Sequence, residues 1–387
     1  MAKVKLNDVA VEARETWKQN KTDVPVVGLE HLEPDEIWLR RWDLNPDENT
    51  FTKGFRKGQL LFGRRRAYQK KMSVASCDGI CSGDITVIAA RPEKMLPELL
   101  PFYLRTDAFF DFAVRGSGGS LSPRVKWSHI SAYEFDLPSM EEQKKLAELL
   151  WAANELKEKY KKAITATDEM LKAKFREMFG DGDDTSRGDA ESRSKWSMVE
   201  FQDVCNRGPQ NGFYKKGIET TGNVRVLKMT QLFAHACIED VSGCDKWAVD
   251  DADINKFRLT PNDLLFGRRS LVQEGAGKCR RVGNLSCDVI FESSMIRVTI
   301  DTGVALPRFI QLWTESIDGE RTIARMRSGT TVFGIRGSEL KTMKIPLPPL
   351  SLQREFVAIA EKADAAKSAL KQSIADIDQV MKGLINQ

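Results

Sequence analysis

The sequence predicts an α+β fold in which two pseudo-repeated α/β domains are combined with two long helices that pack on each other. Three observations predict it. The 387-residue chain is internally duplicated. Each copy has the same order of a mixed α/β region, a proline-containing stretch and a long helix with an apolar stripe. A polar segment separates the two copies.

The duplication begins with a six-residue identity. The letters "LLFGRR" at 60–65 recur at 264–269, 204 positions later. Further on, "SCD" at 76–78 matches "SCD" at 286–288, and "LPELL" at 96–100 faces "LPRFI" at 306–310, both 210 positions apart. A single six-residue insertion between Arg269 and Ser286 therefore brings most of the remainder into register. Upstream, "LNDV" at 6–9 matches "FQDV" at 201–204 more weakly, and such a repeat indicates two copies of one architecture.

The repeat divides the chain into five predicted parts. The first domain takes 1–138 and the second takes 196–346, each with short β-rich runs such as "DITVIAA" (84–90) and a predicted helix such as 97–114. Long helices are expected at 139–180 and at 347–387. Residues 181–195, which are rich in Gly, Asp and Ser, have the composition of a flexible linker.

Each long helix carries apolar residues at spacings of three and four. Ser139 is a candidate N-cap for the first helix, and Glu142 completes a capping box that the second helix lacks. Stripes sustained for about five heptads indicate a coiled-coil seam, so we expect the two helices to pack together as a spacer. The residues assigned to the seam and to partner docking are Leu146, Leu149, Leu156, Leu352, Phe356, Ile359, Leu370 and Ile377.

Positive charge is concentrated in two windows of each copy. Residues 49–77, 112–133 and 321–338 contain no Asp or Glu, and 264–287 contains only Glu274. A charge run on its own is usually a solvated face. Four such windows, paired across a duplication, favour phosphate binding, because clustered cations without competing carboxylates neutralise a nucleic acid backbone. The net charge of +4 alone would not indicate this.

Glycine, serine and threonine between these cations would let backbone N–H groups approach phosphates, and arginine can read guanine in the major groove. We therefore predict DNA contacts for these window residues: Arg64, Arg65, Arg66, Lys70, Lys71, Ser120, Arg124, Lys126, Arg268, Arg269, Arg280, Arg281, Arg325, Arg327, Thr330 and Arg336.

Catalytic constellations are missing from the sequence. The three histidines, His31, His129 and His235, are not spaced as metal ligands, and Cys279 and Cys287 in copy two do not repeat the spacing of Cys77 and Cys81. There is no P-loop, no Gly-x-Gly-x-x-Gly and no Asn/Asp-Pro-Pro-aromatic tetrapeptide. The expectation is a chain that holds no metal or cofactor and is not an enzyme by itself.

Cysteine usage and hydropathy bear on the compartment. Seven cysteines without a Cys-x-x-Cys pair point to reduced thiols. The start of the sequence lacks the apolar core of a signal peptide, and no apolar run is long enough to span a bilayer. We expect a soluble, cytoplasmic protein.

Several motifs resemble those of one family, the specificity subunits of type I restriction–modification systems. The resemblance extends over essentially the full chain and is carried by "GQLLFGRRRAY" (58–68), "CDGICSGDI" (77–85), "LPELLPF" (96–102), "GSLSPRVKW" (119–127) and "LPPLSLQREFVAI" (347–359). Copy two departs from the family in one place, because "LSLQRE" stands where acidic residues before the Gln are more usual.

The resemblance implies a non-catalytic DNA-binding subunit that serves phage defence. Its two target-recognition domains would each read one half of a split, asymmetric sequence. Its two long helices would pair antiparallel, set the spacing and dock two methyltransferase subunits, and restriction subunits could join them. S-adenosylmethionine and ATP would then be bound by the partner subunits.

Two alternatives stay open on the sequence alone. In the first, the coiled coil is a non-enzymatic scaffold and the basic windows bind RNA, for which Tyr68 and Trp127 in the windows of copy one are the candidate stacking aromatics. In the second, the chain is a fragment of a fused restriction–methyltransferase enzyme, which would require a methyltransferase domain.

The two identical "LLFGRR" segments cannot by themselves give the two domains different specificities. Phosphate contacts or scaffolding are therefore the better role for their arginines. Base discrimination is expected in the segments behind them, 66–75 and 270–285, where the copies diverge.

Overall fold

The computed structural model describes residues 2–18, 22–44, 50–180, 196–214, 221–234 and 236–385. The chain forms two compact units. The first unit is Met1–Lys161 with Leu370–Gln387, and the second is Lys162–Ala369. The predicted linker, 181–195, lies outside the described residues. Helices and strands are both present, as the α+β prediction requires.

Two four-stranded sheets and two strand pairs build the first unit. One sheet has the order Ala10–Glu12, Ile85–Ala90, Leu60–Gly63, Met72–Val74, and the other the order Glu15–Thr16, Lys53–Phe55, Gly79–Cys81, Val26–Val27. The pairs are Ala2–Lys5 with Glu134–Leu137 and Ser117–Gly118 with Arg124–Val125. The short helices are Leu6–Val9, Leu100–Leu104, Asp107–Arg115 and Trp127–Ile130, with 3-10 turns at Leu29–His31 and Ala67–Gln69.

The predicted helix at 97–114 is interrupted at Arg105 and Thr106. The Arg105 guanidinium donates to the backbone carbonyls of Glu36 and Met72. Thr106 then starts a new helix, because its Oγ1 accepts the N–H of Phe109 at 3.3 Å. The sequence prediction of one continuous helix is therefore wrong at these two residues.

The second unit has a similar arrangement. A five-stranded sheet has the order Cys205–Asn211, Met295–Ile300, Asp263–Gly267, Cys279–Val282, Cys237–Ile238, and a three-stranded sheet the order Asp245–Trp247, Val224–Leu227, Val289–Phe291. Met198–Glu200 pairs with Lys344–Pro346, and Arg269–Ser270 with Phe333–Gly334. The short helices are Met229–Ala234, Asp251–Phe257, Pro307–Thr314, Ile317–Met326 and Gly337–Thr342, with 3-10 turns at Phe201–Val204 and Gln273–Gly275.

The repeated "LLFG" segment is a fully buried interior strand in both units, flanked by antiparallel neighbours. Leu60 faces Ile88 and Leu264 faces Val298 across one ladder. A buried position on both faces explains the run of apolar residues without alternation.

The same ladders locate the insertion that distinguishes copy two. Leu60 faces Val74 in the first unit, and Leu264 faces Arg281 in the second, so these partner strands lie 207 positions apart. Matched residues of the two copies lie 204 positions apart before that strand and 210 positions apart after it. The predicted single insertion is therefore two insertions of three residues, one on each side of the strand Cys279–Val282.

The two long helices extend over Met140–Phe179 and Leu350–Ile385. The predicted capping box is confirmed: the Ser139 N–H donates to Glu142 Oε2 at 2.9 Å, and the Glu142 N–H donates to Ser139 Oγ at 3.5 Å. Among the described residues, no helix is both long and apolar enough to cross a membrane.

In the first unit, the apolar stripe of the first long helix is displaced from the prediction. Ala147 and Leu150 are buried, whereas Leu149 is 56% exposed and Leu156 is 41% exposed. Both pairs of residues fit a helical spacing of three and four, so the spacing alone does not show which face is buried. The domain decides it, because Trp151 packs edge-on against the Phe102 ring. Leu146 is half-buried in the same core, together with Met381 and Leu384 of the second long helix. The seam assignment of Leu149 and Leu156 is therefore wrong.

In the second unit, the helices meet in a cluster of aromatic rings. Phe356 is 1% exposed and contacts Phe175 and Phe179 edge-on, with ring centroids 5.3 and 5.5 Å away. Phe309 of the domain completes the cluster. Leu352 and Ile359 pack half-buried against this core. Leu370 and Ile377, which belong to the first unit, are half-buried.

A buried glutamine joins each domain to a long helix in the same way. Gln143 is 1% exposed, accepts the Leu96 N–H at 2.9 Å and donates to the carbonyls of Lys94 and Pro138. Gln353, 210 positions later, is 0% exposed, accepts the Leu306 N–H at 2.9 Å and donates to Pro348 and Val304. The two repeats therefore share these hydrogen bonds as well as the matching residues.

Candidate nucleic-acid interface

In the first unit, the two basic windows meet at the end of the LLFG strand. The Val125 N–H donates to the Arg64 carbonyl at 3.0 Å, and the Arg66 N–H donates to the Pro123 carbonyl at 2.8 Å. Arg65 and Arg124 face each other in an isolated antiparallel bridge. Residues about 60 positions apart in sequence therefore share one surface.

Beside this junction lies an open cleft of about 610 Å³. Arg64 and Lys126 line it, together with Arg14, Lys53 and the acids Glu12 and Glu15. Glu12 pairs with Arg14 at 2.8 Å and with Lys53 at 3.7 Å. Within the described residues, neither Arg64 nor Lys126 has a carboxylate within 4 Å. Their charges are thus available to a ligand in the cleft.

A carboxylate outside the two basic windows organises their arginines. Asp84 Oδ1 accepts Arg124 Nε at 2.6 Å, and Asp84 Oδ2 accepts Arg124 Nη2 at 3.2 Å. Arg65 Nη1 lies 3.4 Å from Asp84 Oδ2, and its Nη2 donates to Ser122 Oγ at 3.0 Å. We call Arg65, Asp84 and Arg124 the arginine–aspartate triad.

The Arg124 guanidinium, with Arg65 beside it, holds the pKa of the Asp84 carboxyl below its usual range. A depressed folded-state pKa means that this group stabilises the fold above the unfolded value of about 3.9, and that the contribution is lost as the pH falls through the lower folded value. The Asp84 carboxyl is therefore ionised at neutral pH.

A glycine turn (residues 117–122 in copy one, 327–332 in copy two) lies next to each junction. Gly119 has φ +107° and Gly329 has φ +105°, a left-handed conformation that favours glycine. Ser120 and Thr330, which follow these glycines, are exposed. The two copies therefore present the same tight turn with a small hydroxyl residue at its tip.

The second unit repeats the junction. The Ile335 N–H donates to the Arg268 carbonyl at 3.1 Å, as Val125 does to Arg64, and Arg269 faces Gly334. A cleft of about 360 Å³ is lined by Arg268, Arg269 and Arg336, with Asn211 and the end of the glycine turn. Lys126 and Arg336, at equivalent positions, each precede the first residue of a short helix.

The electrostatics of the two junctions differ. At the position of Asp84 the second unit has Ser294, and at that of Arg124 it has Gly334. Arg268 donates to the Ser293 carbonyl at 3.1 Å, and burial together with the neighbouring Arg269 lowers the pKa of its guanidinium. Arg269 is exposed and has no acidic partner among the described residues.

Other predicted contact residues have partners inside their own domain. Arg280 pairs with Glu315 at 2.8 Å with its side chain 14% exposed, and Arg327 pairs with Glu320 at 2.8 Å with its side chain 7% exposed. Burial and pairing within the fold oppose a phosphate contact. We therefore leave Arg280 and Arg327 out of the candidate surface.

Cations behind the first LLFGRR segment are also engaged. Lys70 pairs with Asp107 at 2.6 Å, and Lys71 donates to the Leu29 carbonyl at 2.8 Å. Arg66 is half-buried with φ +54°. In the second unit Arg281 is half-buried on its strand, whereas Arg325 is exposed. The surface is thus smaller than the set of predicted residues.

Glu30, His31 and Asp43 bring three potential metal ligands together. His31 Nδ1 accepts the Gly28 N–H at 2.9 Å, which places the ring proton of a neutral imidazole on Nε2. Nε2 faces Asp43 Oδ2 at 3.6 Å, so the nitrogen nearest the carboxylate has no free lone pair for a metal. A hydrogen-bonded histidine explains this cluster better than a metal site.

Sequence reasoning missed Asp84 and Arg14. Asp84 was missed because only windows without acidic residues were considered, and Asp84 lies outside them. It does lie in "CDGICSGDI" (77–85), one of the motifs that carry the family resemblance. Arg14 is flanked by Glu12 and Glu15 and so falls in no acid-free window, and the sequence contained no signal for it.

Comparison with known proteins found no family model that matches the chain. It is 22% identical over 313 residues to the type I restriction enzyme EcoKI specificity subunit of Escherichia coli K12, covering 76% of this chain and 65% of that protein. It is 20% identical over 284 residues to the type I restriction enzyme MjaIX specificity subunit of Methanocaldococcus jannaschii, covering 70% and 62%. The chain thus spans slightly less than two thirds of these relatives.

Solved structures share the fold. A chain from a structural study of type I R-M complex assembly and conformational transition aligns over 99% of this chain and 96% of its own length, with a TM-score of 0.56 and 18% identity. The S subunit of the type I restriction–modification system from M. genitalium aligns over 100% and 95%, with a TM-score of 0.54 and 12% identity. The relatives named by these comparisons are type I restriction enzyme specificity subunits, which confirms the resemblance carried by the sequence motifs.

Proposed function

We propose that the chain is the non-catalytic, sequence-specific DNA-binding specificity subunit of a type I restriction–modification complex, and that its two domains read the two halves of an asymmetric bipartite target. One observation supports this most. In each unit an LLFGRR arginine and a second cation, Lys126 or Arg336, line one cleft beside a glycine turn.

The cleft chemistry suits a phosphate backbone. Arg64 and Lys126 lack acidic partners among the described residues, so binding a phosphate breaks no ion pair and releases counterions. Exposed Ser120 and Thr330 at the glycine turns can add hydrogen bonds to phosphate or sugar oxygens. These contacts position the duplex without carrying sequence information.

Different half-sites follow from the differences between the copies. Segments 66–75 and 270–285 have different cations and different lengths, and the two three-residue insertions flank the strand Cys279–Val282. We therefore keep the division of labour in which the LLFGRR arginines hold the backbone, and base selection falls to residues that differ between the copies, the divergent segments among them.

The two long helices are proposed to form the antiparallel coiled coil that sets the spacing of the domains. Two ion pairs at equivalent positions support this. Lys157 bonds Asp378 at 2.6 Å within the first unit, and Lys367 bonds Asp168 at 2.7 Å within the second. Each member of one pair lies 210 positions from a member of the other, as expected when the long helices of two repeats pair with each other.

The partners proposed are double-stranded DNA and two methyltransferase subunits, with restriction subunits as possible additions to the complex. S-adenosylmethionine and ATP are assigned to these partners and none to this chain. The exposed Leu149 and Leu156 are the apolar residues that we assign to methyltransferase docking. An RNA-binding scaffold has less support, because Tyr68 is the one exposed aromatic residue in the described basic windows of copy one.

Selection from a random duplex pool tests the function. The chain is co-purified with its proposed methyltransferase partner, and the bound duplexes are sequenced. We expect one motif with two specific parts separated by a fixed number of unspecified base pairs. Recovery of a single continuous motif, or of unselected DNA, would overturn the proposal.

A further inference from the structure

We propose that the arginine–aspartate triad of the first unit is a guanine-reading device, in which Asp84 is the positioning residue that fixes Arg124 for the base edge. This inference rests on the proposed DNA-binding function and adds the base type and the residues. The second unit has no such device at the equivalent place.

The geometry leaves one edge of Arg124 free. A guanidinium carries five N–H bonds. Asp84 takes one from Nε and one from Nη2, at 2.6 and 3.2 Å. The three remaining N–H bonds lie at the Nη1–Nη2 end, which can donate in parallel to the O6 and N7 atoms of guanine. The Arg124 side chain is 44% exposed, so this end can reach a ligand.

The carboxylate also removes the main obstacle to base reading by arginine, which is side-chain entropy. A free arginine loses much of its rotamer freedom when it is fixed. In the triad Arg124 is already held by two hydrogen bonds, and Asp84 itself is oriented, because its side chain is 20% exposed and its backbone carbonyl accepts the Arg64 N–H at 2.9 Å.

Arg65 completes the device and orders its surroundings. It bridges Asp84 to Ser122 in the glycine turn, with Nη2 to Ser122 Oγ at 3.0 Å. The LLFGRR segment, the strand that begins at Ile85 and the glycine turn are thereby joined through one carboxylate. A base contact made there is held by three separate segments of the domain.

The second unit supports the assignment by contrast. Where the first unit has Asp84 and Arg124, the second has Ser294 and Gly334, so the acid and the second arginine are absent together. Arg269 remains, exposed and without an acidic partner among the described residues. Such a cation suits a phosphate, which needs charge but little orientation.

The test compares Asp84→Asn and Arg124→Gln with wild type in the duplex selection, using the full chain with its proposed methyltransferase partner. Glu155→Gln, an exposed carboxylate on the first long helix paired with Lys159, serves as the matched control. We expect both variants to lose, by about tenfold or more, the preference for one G·C pair in one half-site, with the other half-site unchanged. The control should retain the wild-type motif.

Salt titration on a random 40-base-pair duplex separates positioning from charge. Asp84→Asn removes a carboxylate, so the slope of log K against log salt should steepen by about 0.9 as an arginine is released to a phosphate. Arg124→Lys keeps the charge and should leave the slope unchanged.

Retention of every G·C preference by Arg124→Gln, whose amide pairs with adenine rather than guanine, would overturn the inference even if Asp84→Asn proved unstable. A wild-type complex that selects no sequence would instead overturn the proposed function.

Discussion

The buried glutamines at the domain–helix junctions give the clearest stability prediction. Replacing Gln143 by Leu keeps the side-chain volume similar but removes the partner of the Leu96 N–H, at 2.9 Å, and of the Lys94 and Pro138 carbonyls, at 3.0 and 3.1 Å. A buried N–H left without a partner costs about 1–3 kcal/mol. Lys94 is exposed and Pro138 is half-buried, so water can replace part of the hydrogen bonding that their carbonyls lose.

We therefore expect Gln143→Leu to lower the free energy of unfolding by about 2–4 kcal/mol. Gln353→Leu should cost at least as much, because Gln353 is 0% exposed. Urea unfolding followed by circular dichroism and tryptophan fluorescence measures both. Gln143→Leu should shift the transition of the first unit, and Gln353→Leu that of the second.

The matched control is Gln372→Leu, the same substitution at an exposed position of the second long helix. Its effect should stay within about 0.5 kcal/mol. If all three variants unfolded at the same urea concentration as wild type, the buried glutamines would not join helix to domain as described, and the reasoning would be refuted.

Four other predictions concern the site and the helices. Reversing the charge of Arg64 and Arg65 together should abolish DNA binding by the assembled complex; a gel-shift titration with unchanged affinity would remove these residues from the interface. Phe356→Asp with Ile359→Asp should unfold the second unit, since losing a buried aromatic side chain alone costs about 3–5 kcal/mol. Leu149→Asp should leave the melting temperature unchanged but release the methyltransferase, and an intact co-purified complex would count against docking at Leu149. Exchanging segments 66–75 and 270–285 should change the recognised half-sites, and an unchanged methylated motif would disprove their role in base selection.

Patterns repeated along the chain predicted the architecture well. Short stretches of sequence were enough to predict the LLFG strands, the two long helices and the Ser139 capping box. This is because apolar runs, apolar periodicity and capping residues are local properties of the sequence. The buried face of the first long helix could not be predicted from local sequence. Leu149 and Leu156 fit the same spacing as Ala147 and Leu150, and only the packing of Trp151 on the domain separates the two sets.

The candidate site was predicted in part. The paired basic windows identified Arg64, Lys126, Arg268 and Arg336, which the fold brings to equivalent clefts. The sequence could not show that Arg280 and Arg327 are buried in ion pairs, since Glu315 reaches Arg280 through a tertiary contact and the burial of Arg327 depends on the surrounding fold. Nor could it show that Asp84 organises two arginines from different windows.

Methylome sequencing of the host with and without this gene tests the central claim most directly. If the two domains read two half-sites for a methyltransferase, one split adenine-methylation motif should disappear when the gene is deleted and return when it is restored. A methylome that keeps every split motif after deletion would contradict the account.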